Sequence, residues 1–504
     1  MKMRIGKYVL LALAGISLAA CSKGGNENVT KTQEKLAINQ VNIGVTGYEW
    51  GPSVSRLVLE LNQEVESLST DKLEAVTAGV KRNIKDAYLS DANGEKVKGA
   101  SQYVTLDLEV TYTFMAEDNA SPFVFNFTNM MNEWAAEYPV KVTGLTIGDN
   151  DLSVEADAIN SRVIPETTVF NVRDKTTGNY RNPLTGKDEE VTLHYAAFEP
   201  EHLKESNAKS PLVIWLHGQG EGGTDTDITL LGNEVVALAR EEIQSHYTAT
   251  GNAKEKGAYV LAVQTPTYWM DEGDGTNGAG AGVSRYTEAL MDTIDAYVKS
   301  NPDIDTNRIY LGGCSNGGYM TMNMAIHYPD YFAAAYPIAE AYSYYEFEKN
   351  PDGTYVRQAS EENPVGVAVQ KDTPYFTEDK LNKIKDLPMW FVTAQNDDTV
   401  KPATYTLPTY QAMVKSGAQN KWFSYYETVE GADIEGNEYM GHWSWIYFFN
   451  NEVTGVQDVV TVKNAADVTS GFKADNATKG GSDKAIVNGT TYDNIFDWMN
   501  AQTK

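Results

Sequence analysis

The sequence predicts two folds in series: an all-β sandwich, then an α/β domain on a mainly parallel sheet flanked by helices. Three observations carry this. Val104, Leu106, Leu108 and Val110 alternate with Thr105, Asp107, Glu109 and Thr111 over Tyr103 to Tyr112, the period of a half-buried strand. After Asn171 the pattern changes to short, nearly all-apolar runs separated by helical stretches, as in a parallel sheet covered on both faces. In the first part, short strand-like runs are separated by Asn-Gly and Gly-Asp punctuation such as Ala92-Asn93-Gly94.

In the first part, Val41 to Gly47, Arg56 to Leu61 and Val140 to Ile147 are further strand candidates, placing the sandwich at 35–169. In the second, 170–504, strands are expected at Pro211 to Leu216, Ala258 to Val263, Arg308 to Leu311, Ala333 to Ile338 and Leu387 to Thr393. Helices are expected at Ser284 to Ser300, Tyr319 to His327 and Tyr405 to Lys415, with a closing helix at Thr491 to Gln502. The Gly/Asn/Thr-rich stretch near 452–489 reads as a polar surface insertion.

The chain opens on a cationic Met1 to Lys7 and an apolar Tyr8 to Ala20, shorter than the roughly 20 residues that span a bilayer. Leu18-Ala19-Ala20-Cys21 resembles a bacterial lipobox, which implies that 1–20 is a lipoprotein signal peptide, Cys21 carries the lipid and 21–34 is a tether. The expected location is the extracellular face of the bacterial cell membrane. Cys314 is the second of only 2 cysteines, so core burial rather than a disulfide must stabilise the fold. A formal charge of -28 argues against nucleic acid as a partner.

The strongest chemical signal is Gly313-Cys314-Ser315-Asn316-Gly317, a G-x-S-x-G between an apolar strand and a helix. It resembles the nucleophile turn of the α/β-hydrolases, which implies Ser315 as nucleophile and a chain order of serine, acid, histidine. A serine hydroxyl needs a base. Of 6 histidines, His194, His202, His217 and His246 precede Ser315, and His327 lies far along the serine's own helix. His442, in Met440-Gly441-His442-Trp443-Ser444-Trp445, remains as the base. The acid is expected beyond the strand Leu387 to Ala394, where Asp397 and Asp398 stand side by side; Asp397 is in register with the usual acid turn, Ala394 replacing its glycine.

Leu216-His217-Gly218-Gln219-Gly220-Glu221-Gly222-Gly223 resembles the H-G-x-G loop of these enzymes, implying that the N–H groups of Gln219 and Asn316 form the oxyanion hole. Glu221, and the lack of a P-loop lysine, speak against phosphate binding there. The acidic loop Trp269 to Gly278 lacks EF-hand spacing and is expected to be a solvated active-site loop with no metal.

Together these motifs resemble bacterial carboxylesterases, related to polyhydroxybutyrate-depolymerase-like esterases, that carry an amino-terminal immunoglobulin-like (Ig-like) domain. The resemblance implies an Ig-like sandwich before an α/β-hydrolase domain that cleaves small or polymeric carboxylic esters without a cofactor. A propeller-less serine peptidase of prolyl-oligopeptidase type is the competing enzyme. A surface binding lipoprotein with an inactive hydrolase fold is the competing non-enzyme. Trp269, Trp443 and Trp445, with Tyr342, Tyr344 and Tyr345, are expected to converge on the pocket mouth and favour short acyl or aromatic uncharged esters.

Overall fold

A computed structural model describes residues 35–112, 121–199, 207–359 and 366–504. The expected signal peptide, tether and Cys21 lie outside these residues, as does His202.

The amino-terminal part is a sandwich of two sheets. One orders Arg162–Val163, Ile38–Tyr48, Gly51–Val65, Ser101–Leu108 and Ile84–Ser90; the other orders Asn150–Asp157, Pro139–Ile147, Glu74–Thr77 and Val80–Arg82. Val41, Ile43 and Leu57 of the first meet Val140, Val142 and Leu145 of the second in one core. The alternating strand ends at Leu108, short of Val110. Thr105, on its polar side, is buried and donates from Oγ1 to Ser90 Oγ at 2.8 Å. This strand is flanked on both sides within its sheet, so a short hydroxyl there finds a cross-strand partner rather than water.

The second part is built on one large sheet: β1 (Val172–Arg181), β2 (Asp188–Phe198), β3 (Ser210–Leu216), β4 (Tyr259–Gln264), β5 (Ile304–Cys314), β6 (Ala334–Ile338), β7 (Met389–Ala394) and β8 (Lys421–Tyr426). Their spatial order is β1-β2-β4-β3-β5-β6-β7-β8. Pairings from β4 to β8 are parallel, and β1 and β2 are antiparallel. β3, β4, β6 and β7 are buried along their whole length, as strands covered on both faces must be. β1 and β2 carry mixed, half-exposed side chains and therefore give no apolar run in the sequence. Helices α1 (Thr287–Ser300), α2 (Asn316–His327) and α3 (Thr406–Lys415) pack on one face. Trp445–Phe449 and Ile495–Asn500 cover the other.

The stretch 452–489 is not a surface insertion. It lies along the outer side of β8: Tyr425 N–H donates to Gly480 O at 2.8 Å, Asp475 N–H to Tyr425 O at 3.0 Å, and Gln457 N–H to Phe423 O at 2.8 Å. Its own Val453, Val456 and Val462 are fully buried. An open edge strand leaves its backbone groups unpaired, and this segment satisfies them without adding a regular strand. Its glycines serve close backbone approach, since a Cβ on Gly455 would fall 2.1 Å from Thr478 O.

Two hairpins of the sandwich touch the large domain. Glu49, at the turn between Ile38–Tyr48 and Gly51–Val65, is buried and accepts from Ala432 N–H at 2.7 Å, Asp433 N–H at 3.2 Å and Asn450 Nδ2 at 2.6 Å. On the hairpin Phe123–Asn126/Met131–Trp134, Asn132 Nδ2 donates to Glu221 at 3.3 Å and Trp134 Nε1 to Asp225 at 2.9 Å.

Candidate active site

Gly313 and Gly317 flank Ser315 because nothing larger fits. A Cβ on Gly313 would lie 2.3 Å from Leu216 O, and one on Gly317 1.9 Å from the same oxygen. Between β5 and α2 the chain turns so sharply that Ser315 itself takes a left-handed backbone, φ +54°. Such a conformation costs of order 1–3 kcal/mol at a non-glycine residue and persists only where its surroundings impose it. Here Ser315 N–H donates to Ile338 O at 2.9 Å, and Ser315 O accepts from Tyr319 N–H at 2.9 Å and Ala341 N–H at 3.2 Å.

His442 Nε2 lies 2.8 Å from Ser315 Oγ, and His442 Nδ1 lies 2.8 Å from Asp397 Oδ2. All three side chains are buried. The other oxygen of Asp397 accepts from Thr399 N–H at 2.9 Å and Val400 N–H at 2.8 Å, so the turn after β7 aims the carboxylate. Asp398, by contrast, is exposed. Gly441 lets the histidine loop come down on the acid turn, since a Cβ there would sit 2.3 Å from Asn396 O. The ring of Trp445 packs edge-on against the imidazole, centroids 5.4 Å apart. Of the other described histidines, His246 Nδ1 lies 2.9 Å from Asp497 Oδ1 and His327 Nδ1 lies 2.8 Å from Asn323 O. His217 Nε2 accepts from Thr265 N–H at 3.1 Å, and burial pushes this imidazole down to about 4, keeping it neutral.

Gln219 opens a short 3₁₀ turn after β3, and Asn316 is the first residue of α2. First-turn N–H groups have no partner within their own helix, which leaves both available to an oxyanion. Their side chains are tied together by a residue that sequence reasoning missed. Asn277 donates from Nδ2 to Gln219 Oε1 at 2.7 Å and accepts at Oδ1 from Asn316 Nδ2 at 2.7 Å. Asn316 Oδ1 in turn accepts from Met270 N–H at 3.0 Å. The only signal for Asn277 was its place in the acidic loop. That loop is not solvated throughout: Asp271 is fully buried and accepts from Gly273 N–H at 2.7 Å, Gly275 N–H at 3.0 Å and Thr267 Oγ1 at 2.9 Å. Replacing Asn277 by Ala is expected to lower kcat roughly 10-fold with little change in KM, less than the ~10²- to 10³-fold of a lost donor. Steady-state kinetics checks this; a rise in KM at constant kcat would make Asn277 a substrate contact instead.

The aromatics do not converge on one mouth. Trp269 is fully buried, its ring 5.3 Å from that of His217 and 6.2 Å from that of Tyr286. Tyr342 is buried against Tyr319, centroids 5.5 Å apart, and Trp445 is buried behind His442. Tyr344 and Tyr345 pack on each other. Only Trp443 is half-exposed near the base, in a row with Tyr439 and with Tyr112 of the sandwich side. A ring just beyond a strand end meets the core as readily as the cleft, and loop path decides which. Trp269→Ala is accordingly expected to cost about 3–5 kcal/mol of stability. Denaturant unfolding measures the loss, and relative rates on short and long acyl esters should stay unchanged.

Comparison with known proteins agrees with this architecture. Residues 40–176 match the esterase Ig-like N-terminal domain, and residues 277–431 match the prolyl oligopeptidase family. The chain is 34% identical over 140 residues to poly(3-hydroxyalkanoate) depolymerase C of Paucimonas lemoignei, a match spanning 26% of this chain and 28% of that protein. It superposes on the crystal structure of a thermostable esterase with a TM-score of 0.56 and 23% identity, over 82% of this chain and 97% of that one. Sandwich, parallel sheet and both matched segments together show an α/β-hydrolase fold preceded by a domain that matches the Ig-like N-terminal domain of esterases.

Proposed function

We propose that the chain hydrolyses carboxylic esters through an acyl-enzyme on Ser315. The observation that carries this is the unbroken Ser315–His442–Asp397 chain, two contacts of 2.8 Å, beside paired first-turn N–H groups. In this reading Ser315 Oγ attacks the ester carbonyl carbon while His442 Nε2 takes its proton. The oxygen that becomes negative is received by the N–H groups of Gln219 and Asn316. Collapse breaks the bond to the alcohol, which leaves with the proton from His442. Water then repeats the sequence, with His442 as base, and frees the acid. The esterase-type front domain and the depolymerase relative support an ester as substrate.

A serine peptidase is the second reading, favoured by the match of 277–431 to the prolyl oligopeptidase family. Graded p-nitrophenyl esters assayed beside peptide p-nitroanilides, with fluorophosphonate labelling, separate the two. Turnover of esters with labelling is expected. Preference for the anilides would favour the peptidase, and neither turnover nor labelling would favour a binding protein.

We also propose export and lipid attachment at Cys21, supported by the cationic start, apolar run and Leu18-Ala19-Ala20-Cys21. Cys21→Ala should move the protein from the detergent phase to the aqueous phase, and unchanged partitioning would overturn the idea.

A further inference from the structure

Beside the candidate site, on the far side of Asn277, lies a cavity of about 480 Å³, within the ~300–1,000 Å³ of small-ligand sites. It does not contain Ser315; its link to the nucleophile is Asn277, which lines it and hydrogen-bonds both Gln219 and Asn316. Three separate parts of the chain meet there: the turn after β1 at Leu184, the loop after β4 at 272–278, and 352–357 in the excursion between β6 and β7.

The same tripeptide contributes to its wall twice, through Asp274 and Thr276 and through Asp352, Gly353 and Thr354. Asp274-Gly275-Thr276 and Asp352-Gly353-Thr354 both turn at a glycine of positive φ, +82° and +90°. In each, one carboxylate oxygen is held by the following threonine. Asp274 Oδ1 accepts from Thr276 N–H at 2.9 Å and Oγ1 at 2.7 Å, and Asp352 Oδ1 from Thr354 N–H at 3.0 Å and Oγ1 at 2.6 Å. Both carboxylates are thus fixed in direction while keeping a second oxygen as acceptor. Glu272, also in the wall, is paired with Lys349 at 2.8 Å and bonded by Tyr355. Leu184 and Tyr355 supply carbon surface, and Arg357 adds a donor.

Oriented acceptors set among carbon surface suit a ligand that presents several hydroxyls and C–H faces at once. A hydrocarbon chain would desolvate the carboxylates without bonding them. An anion would be repelled by Asp274 and Asp352. A cation would meet Arg357 in the cavity wall and Lys349 behind Glu272.

Building on the ester-hydrolase reading, we propose that this cavity binds the alcohol side of the substrate and that this alcohol is a polyhydroxylated ring, a sugar. Asp274 and Asp352 receive its hydroxyls, and Asn277 marks the passage to Ser315.

The test compares kcat/KM for an acetylated disaccharide, cyclohexylmethyl acetate, acetylcholine and p-nitrophenyl acetate, in the whole protein and in Asp274→Asn and Asp352→Ala. Asn at 274 still caps its turn while losing the charge. The sugar ester is expected to be preferred over cyclohexylmethyl acetate, with that ratio falling roughly tenfold in each variant, the scale of a hydrogen bond to a charged group. Turnover of p-nitrophenyl acetate without a sugar preference, or a ratio unmoved by both substitutions, overturns the sugar site and leaves the ester hydrolase standing. Preference for acetylcholine that both variants abolish would assign the cavity to a cation instead. Failure on every ester, p-nitrophenyl acetate included, would overturn the hydrolase reading and the sugar site with it.

Discussion

Ser315→Ala is expected to remove ester turnover almost completely, by about 10⁶-fold in kcat if this site behaves as other serine triads do. The substitution deletes one oxygen and its bond to His442 Nε2, while the backbone bonds that hold the turn remain. Alanine and serine share a Cβ, so the left-handed backbone at φ +54° is no more strained in the variant. Melting temperature should therefore hold while kcat and fluorophosphonate labelling disappear together. Labelling that survives in the variant would place the nucleophile elsewhere.

Asp397→Asn is expected to cost about 10⁴-fold in kcat, and Asp398→Asn no more than about twofold. The reason lies in the turn. Asp397 Oδ1 accepts from Thr399 and Val400 N–H groups, so an asparagine would keep its carbonyl oxygen there and turn its NH₂ toward His442. An imidazole facing a donor at Nδ1 carries its proton on Nε2, where Ser315 needs an acceptor. Asp398 is exposed and makes no contact with His442. Rates on p-nitrophenyl acetate for the two variants check this, and equal losses would show that the pair acts through charge alone.

How much of this was legible in the sequence varies by element. Interior strands announced themselves because a strand buried on both faces must be nearly all apolar, as Pro211 to Leu216 and Leu387 to Thr393 are. β1 and β2 did not, since a half-exposed antiparallel pair resembles any polar segment. The role of 452–489 was misread because backbone bonds to Phe423 and Tyr425 leave no mark in composition.

The sequence by itself determined the order of the two folds, the glycine-bounded turn at Ser315 and which histidine and carboxylates follow it. These are local properties: periodicity, steric need for glycine, and position along one chain. Only the tertiary structure decided that Asp397 rather than Asp398 meets His442, that Trp269 belongs to the core, and that Asn277 joins Gln219 to Asn316. Each depends on where loops separated by 39 to 58 residues come to rest. That is set by the register and packing of strands between them, and no short window of sequence contains it.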